Sequence, residues 1–195
     1  KLLSRNIQSS LENIYIKKIN NLVPNSKMIT NKWLYNYQYA GIIVNKIPSA
    51  RIIHCLRNPL DNILSMYRTH FSQGNEFSSD LIDSAKVYLD HDQIMSGYKK
   101  QYSSKIYEFN YDLLVRKPHL QIRSLISWLN WEWNDTYLSP HLNPRAIRTA
   151  SSVQVRSKIN SKSIGGWENY KDMLKPAIDI ITSTKKYHDL INSKI

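Results

Sequence analysis

A short apolar run, residues 51–56, ends at Arg57 and is followed by an amphipathic pattern. The run is too short for a helix, and its crowded apolar side chains predict a buried strand with Cys55 in the core. Beyond Arg57, apolar residues recur at spacings of three and four. This spacing predicts a helix whose buried stripe consists of Leu60, Ile63, Leu64, Tyr67 and Phe71. Ser65 lies off this stripe.

The start of the predicted helix carries several terminal signals. Asn58 has a suitable N-cap side chain, Pro59 suits the first helical position, and Asp61 can shield exposed N–H groups and complement the helix dipole. A strand that ends in Arg57 before such a helix predicts an anion pocket to which Ser65 contributes. On the pattern alone, a salt bridge at Arg57 and a solvated Ser65 remain the simpler explanation.

The remaining periodicity alternates helices and short strands. A strand at Lys27–Lys32, a helix at Asn36–Ile47 and the strand from Arg51 predict a βαβ unit with parallel strands. A polar stretch from Thr149 onward predicts a long loop over the domain. Further predicted helices are Leu2–Val23, Asp80–Gln101 with an interruption at Gly97, Pro118–Asn130 and Pro176–Ile195, and a further strand is Lys105–Phe109.

The composition limits the classes of partner but does not identify one. The 195 residues predict one domain, 1–195, and 27 basic against 15 acidic residues give a net charge of +12. Such a surface favours an anionic partner, whether nucleic acid, an acidic membrane, a polyanion or a phosphorylated cofactor. Cys55 is the only cysteine, so an internal disulfide is excluded, and the histidines show no metal-ligand spacing. No apolar run is long enough for a membrane span.

Arg57-Asn58-Pro59-Leu60-Asp61, with Ser65 four residues later, resembles a known segment of the sulfotransferases. These enzymes use 3′-phosphoadenosine 5′-phosphosulfate (PAPS), and the arginine and serine of their R-x-P-x-D segment hold its 3′-phosphate. The stretches PSARIIHCLRNP, TASSVQVR and GGWENY are also similar, nearest to the tyrosylprotein and bacterial branches. The resemblance covers about Lys27 to Pro176. It implies a P-loop-related α/β fold, a three-layer α/β/α arrangement around a mostly parallel sheet.

The resemblance also assigns roles to two residues outside that segment. Lys32 matches a lysine near the transferred sulfuryl group, where an ammonium supports the departing phosphate. The family usually has proline where this chain has Leu34. Tyr111 matches a tyrosine beside the adenine, with Asp112 in place of the usual glutamate. A buried aromatic at a strand-to-helix corner is an equally good interpretation of Tyr111.

Residues 149–170 match the loop that covers the donor in this family. Ser151 is then expected to contact a phosphate or the ribose, and Arg156 to form part of a basic wall. The residue before Trp167 is usually basic in the family, whereas this chain has Gly166. One expectation is that Arg156, Lys158 or Lys162 supplies the missing charge. The alternative is that the donor binds weakly.

The glycine-rich loop that holds the 5′-phosphosulfate in this family is not found in the sequence. We therefore expect an N-terminally truncated domain, a piece of a longer protein with little turnover alone. The parent is expected to be a metal-independent, cytoplasmic, PAPS-dependent enzyme that releases 3′-phosphoadenosine 5′-phosphate. Its acceptor is a hydroxyl of a protein tyrosine, a saccharide or a small molecule, and the oligomeric state stays open.

The alternative is a non-catalytic basic module that binds nucleic acid or an anionic polymer. The net charge of +12 and the 11% aromatic content favour it. The aromatic residues, however, recur at helical core spacing and are not interleaved with basic residues as on a base-stacking platform. We therefore expect no nucleic acid as partner.

Overall fold

The computed structural model describes residues 13–22, 24, 28–69, 71, 74–144 and 154–192. Two short strands, β1 and β2, pair as a parallel sheet, and two of the helices follow β1 before β2 begins. The α/β class predicted from the sequence is confirmed, with a two-stranded sheet in the described residues. The elements are α1 (13–22), α2 (Ala40–Lys46), β1 (Ile52–Leu56), α3 (Pro59–Tyr67), α4 (Leu81–Gln101), β2 (Ile106–Asn110), α5 (Tyr111–Arg116), α6 (Pro118–Leu129) and α7 (Lys171–Thr182). Short 3₁₀ helices cover Leu34–Tyr39, Glu76–Ser79, Asp135–Leu138, Pro140–Leu142, Gln154–Arg156 and Gly166–Tyr170.

The chain divides into two compact units, and the first comprises Lys1–Ile52 and Ile94–Ile106. Its core is small and is built from Ala40, Met95 and Ile106, with Tyr37, Ile52, Tyr98 and Tyr102 packed around them. The ring of Tyr98 lies so close to Gly41 that a Cβ at that position would be 2.6 Å from its nearest ring atom. A side chain at position 41 would therefore force the Tyr98 ring to shift where α2 meets the end of α4.

The second unit, Ile53–Gln93 with Tyr107–Ile195, has the larger core. Helices α3, α4 and α7 supply most of it, together with Trp167 from the turn before α7. The spacing of three and four on α7 explains why it packs along one face. The buried residues are Leu60, Ile63, Leu64, Ala85, Tyr88, Trp167, Leu174, Ala177, Ile178 and Ile181.

Several predicted boundaries are wrong. Residues 28–33 form no strand, so the predicted βαβ unit starting at Lys27–Lys32 is not formed, and Lys27 itself lies outside the described residues. Gly97 does not interrupt α4, because a single glycine costs a helix only about 1 kcal/mol relative to alanine. The last helix begins at Lys171 and ends at Thr182, with Pro176 inside it. Of the predicted N-terminal helix Leu2–Val23, residues 2–12 and 23 lie outside the described part.

The prediction of a fully buried β1 is also wrong. His54 is buried, whereas Ile53 is 41% exposed and Cys55 is exposed, so Cys55 is not a core residue. Side chains alternate between the two faces of a strand, and only the face that carries His54 is covered within the described residues. The stripe of α3 is shorter than predicted as well, because Tyr67 and Phe71 are 40% and 42% exposed.

The buried His54 ring lies edge-on to His91 of α4, with 4.9 Å between the ring centroids. Burial lowers the pKa of His91 below its ordinary 6.5, although the neighbouring Asp92 opposes the shift. The unfolded chain therefore takes up a proton more readily than the folded one, and stability falls as the pH drops below this value. We expect His91→Gln to reduce the loss of melting temperature between about pH 7 and about pH 5.5.

The matched control for this prediction is His188→Gln, which removes an exposed histidine beside Asp189. Thermal unfolding followed by circular dichroism at both pH values gives the comparison. Equal acid sensitivity of wild type and His91→Gln would contradict the prediction.

Candidate anion-binding site

The junction between β1 and α3 has the geometry that its sequence predicts. The Asn58 side chain accepts hydrogen bonds from the N–H groups of Leu60 (2.9 Å) and Asp61 (3.2 Å), and Pro59 is the first residue of the helix. The N-cap at Asn58 is confirmed. The helix thus begins two residues after Arg57, so the guanidinium is attached beside the positive end of the helix dipole.

The junction between β2 and α5 is built in the same way and is joined to the first. Asn110 caps α5 by accepting from the N–H of Leu113 (2.9 Å), and Asp112 accepts from the N–H of Asn58 (2.7 Å). Because the carboxyl ends of parallel strands meet at one sheet edge, this link fixes the two strand ends together. The cap at Asn110 was not predicted from the sequence, although an asparagine directly before a helical pattern is a recognisable cap signal.

Arg57 is held on several sides. Its guanidinium lies over the ring of Tyr111, 5.1 Å from the centroid, and Nη2 donates to the main-chain carbonyl of Ser163. Its own carbonyl accepts from the hydroxyl of Tyr88 (3.3 Å), and burial raises the pKa of that tyrosine, so it remains protonated at neutral pH. The buried Nε has no hydrogen-bond partner within the described residues. Arg57 and Tyr111 are therefore held together by a cation–π contact, with the guanidinium in a fixed orientation over the ring.

Asp61 has a different role from the one expected. Its side chain is buried, and its carboxylate accepts from the N–H groups of Gly165 (2.7 Å) and Trp167 (3.0 Å). The N–H groups of Leu60 and Asp61 are already bonded to Asn58, so the Asp61 carboxylate is not needed by its own helix. Gly165 adopts a positive φ of 69°, which favours glycine at this turn.

The other predicted site residues have separate outcomes. Ser65 is exposed on α3, and its hydroxyl makes no hydrogen bond within the described part of the chain, so its convergence with Arg57 on one anion stays a prediction. Arg156 is exposed in a 3₁₀ turn and donates to the carbonyl of Asn143. Lys32 is exposed in the irregular segment 28–33 of the first unit, and its role also stays a prediction. Ser151 lies outside the described residues.

Two basic residues that the sequence had not pointed to, Arg68 and Lys171, lie against the segment around Gly166. Arg68 lies over the ring of Tyr170 (5.7 Å) and Lys171 over the ring of Trp167 (5.3 Å). A Cβ at Gly166 would lie 3.7 Å from the Asp61 carboxylate, an ordinary contact distance, so the fold does not exclude a side chain there. These two cations, which lie over aromatic rings of the segment, thus place positive charge near Gly166, where the family usually has a basic residue.

Outside the β1–α3 junction, the described residues offer a shallow hollow as a possible ligand site. A shallow hollow of about 620 Å³ lies along α6, between His119 and Trp128, and contains none of the predicted site residues. The described ranges contain no cluster of side chains that is suited to hold a metal ion. No helix within them combines the length and the hydrophobicity needed to cross a bilayer.

Three comparisons with known proteins bear on this site. The sequence profile of the Sulfotransferase family matches residues 3–135. An uncharacterized protein of Aquifex aeolicus (strain VF5) is 32% identical over 170 residues, which are 86% of this chain but only 22% of that protein. The sulfotransferase domain from the curacin biosynthetic pathway superposes with a TM-score of 0.55 at 14% identity, over 88% of this chain and 66% of that domain.

The structural likeness supports the fold, and the profile match includes the whole β1–α3 junction. The chain spans about a fifth of the bacterial relative and about two thirds of the solved domain. The profile covers more than half of the chain. The chain therefore belongs to the sulfotransferase family.

Proposed function

We propose that this chain forms part of a PAPS-dependent sulfotransferase and binds the 3′-phosphate of the donor at the β1–α3 junction. The observation that carries the proposal is the Arg57 guanidinium, fixed between Tyr111 and Ser163 next to the capped start of α3. A planar guanidinium offers forked donors that match a phosphate, and a helix N-terminus adds positive potential. Both features lie within three residues of each other in a member of this family.

Preorganisation favours this assignment over an ordinary surface arginine. Arginine side chains lose about 2 kcal/mol of rotamer freedom when they are fixed, and here the contacts with Tyr111 and Ser163 have already imposed that cost. Tyr111 keeps a ring available for stacking or edge contact with the adenine. Ser65, one turn and a half along α3, adds a hydroxyl donor for the same phosphate.

The proposed reaction is in-line transfer of a sulfuryl group. The acceptor hydroxyl attacks the sulfur, the bond from sulfur to the bridging phosphate oxygen breaks, and the hydroxyl proton passes to a general base. The products are a sulfate ester and 3′-phosphoadenosine 5′-phosphate. Negative charge develops on the bridging oxygen, and the ammonium of Lys32 is the proposed group that stabilises it.

A calorimetric titration with 3′-phosphoadenosine 5′-phosphate and with adenosine 5′-monophosphate tests the assigned site. We expect the chain to prefer the ligand that has the 3′-phosphate. Ser65→Ala is expected to weaken its binding about tenfold, because a hydrogen bond to a charged group contributes about 1.5 kcal/mol. Binding of the monophosphate is expected to stay unchanged.

Ser124→Ala, on the exposed face of α6, is the matched control and is expected to change neither affinity. Equal affinity of the wild-type chain for the two nucleotides would overturn the 3′-phosphate assignment. A failure of the chain to bind either nucleotide would do the same.

A further inference from the structure

The Asp61 carboxylate is an unexpected group to find buried beside an anion-binding arginine. Asp61 is 2% exposed and lies four residues from Arg57, where its negative charge opposes the binding of a phosphate. Both of its oxygens accept hydrogen bonds from main-chain N–H groups more than a hundred residues away in sequence, those of Gly165 and Trp167. The position of the carboxylate is therefore explained by the segment that it holds.

We propose that Asp61 is a positioning residue, which holds residues 163–167 against the first turn of α3 so that Arg57 is oriented for the donor. This inference rests on the function proposed above and adds a residue that touches neither donor nor acceptor. The carboxylate fixes two N–H groups of the segment, and the segment in turn supplies the Ser163 carbonyl that accepts from Arg57.

The geometry makes the two contacts interdependent. Ser163 lies two residues before Gly165, so any movement of Gly165 away from Asp61 displaces the carbonyl that Arg57 holds. Without this acceptor, the arginine side chain samples more rotamers. The conformational entropy lost when it is fixed again then weakens anion binding. Trp167 anchors the other end of the segment, because its side chain is buried in the core of the second unit.

Asp61→Asn separates positioning from charge. The change removes a negative charge close to the anion, which on electrostatic grounds alone strengthens anion binding. It also places an amide NH₂ opposite an N–H group, so one of the two hydrogen bonds to the segment is lost and two donors face each other. If Asp61 is a positioning residue, the variant binds 3′-phosphoadenosine 5′-phosphate about tenfold more weakly despite its more positive charge.

Amide hydrogen exchange provides a measurement that needs no nucleotide. We expect Asp61→Asn to accelerate exchange at Gly165 and Trp167 and to leave exchange in α6 unchanged. The matched control is Ile178→Val, which trims a buried side chain of the same core and lowers global stability without touching the segment. This control is expected to keep the wild-type affinity for the nucleotide.

The possible outcomes distinguish the two proposals. Unchanged exchange at Gly165 and Trp167 in Asp61→Asn would overturn the positioning role, whatever the nucleotide does. Faster exchange with unchanged or tighter nucleotide binding would also overturn it, because the segment would then be irrelevant to the donor. Faster exchange in a protein whose wild type binds no nucleotide would confirm that Asp61 holds the segment, and would reject the proposed function and with it the link to the donor.

Discussion

Replacing Arg57 with alanine is expected to weaken the binding of 3′-phosphoadenosine 5′-phosphate by about a hundredfold. Loss of one partner from a desolvated, hydrogen-bonded charge pair costs about 2–5 kcal/mol, and a hundredfold change corresponds to about 2.7 kcal/mol. The structure gives this arginine one fixed orientation, over Tyr111 and against Ser163, so no rearrangement of the side chain is needed on binding. Isothermal titration calorimetry of the 195-residue chain measures the change.

Two further variants make this result specific. Arg57→Lys keeps the charge but loses the planar fork and the stacking on Tyr111, so it is expected to recover only part of the affinity. Arg123→Ala removes the same charge from an arginine of α6, which lies over the ring of Trp133, and it is expected to leave the affinity unchanged. Indifference of the affinity to Arg57→Ala, or an equal loss in Arg123→Ala, would reject the pocket and leave non-specific attraction by the net charge of +12.

The features of the junction that depend on neighbouring residues were predictable from the sequence. The Asn58 cap, the helix start at Pro59 and the strand before Arg57 involve positions only a few residues apart, where local hydrogen bonding decides the conformation. The position of Tyr111 at a strand-to-helix corner follows from the same kind of local pattern. These elements also carry the resemblance to sulfotransferases, which is why the family was recognisable from a short stretch.

The features that depend on distant residues were not predictable. Asp61 has the position of an ordinary first-turn acidic residue, and nothing in its sequence neighbourhood points to Gly165 or Trp167 as its partners. The exposure of Ile53 and Cys55 has a similar origin. An apolar run predicts burial, but which face of a strand is covered depends on the elements packed against it. The predicted strand at Lys27–Lys32 was wrong because a short apolar pattern does not define a strand by itself, and residues 28–32 pair with no strand among the described residues.

Trp167 anchors the segment 163–167 in the core of the second unit, and its truncation is expected to cause the largest loss of stability among the variants described. The side chain is 2% exposed and packs with α3 and α7, where Leu60 and Leu174 are both fully buried. Truncation of a buried tryptophan to alanine costs about 3–5 kcal/mol, which is a large fraction of the total stability of an ordinary domain. Urea unfolding of Trp167→Ala, followed by circular dichroism, is expected to show this loss.

Trp167→Phe tests whether packing or the indole N–H is responsible. The buried Nε1 of Trp167 has no hydrogen-bond partner among the described residues, so its removal sacrifices no bond and relieves a desolvated donor. We therefore expect Trp167→Phe to retain most of the stability that Trp167→Ala loses. Trp131→Ala, at a tryptophan that is 37% exposed, is the control and is expected to cost much less. Equal losses at Trp131 and Trp167 would show that the segment before α7 is not anchored through this side chain, and Asp61 would then have to hold it alone.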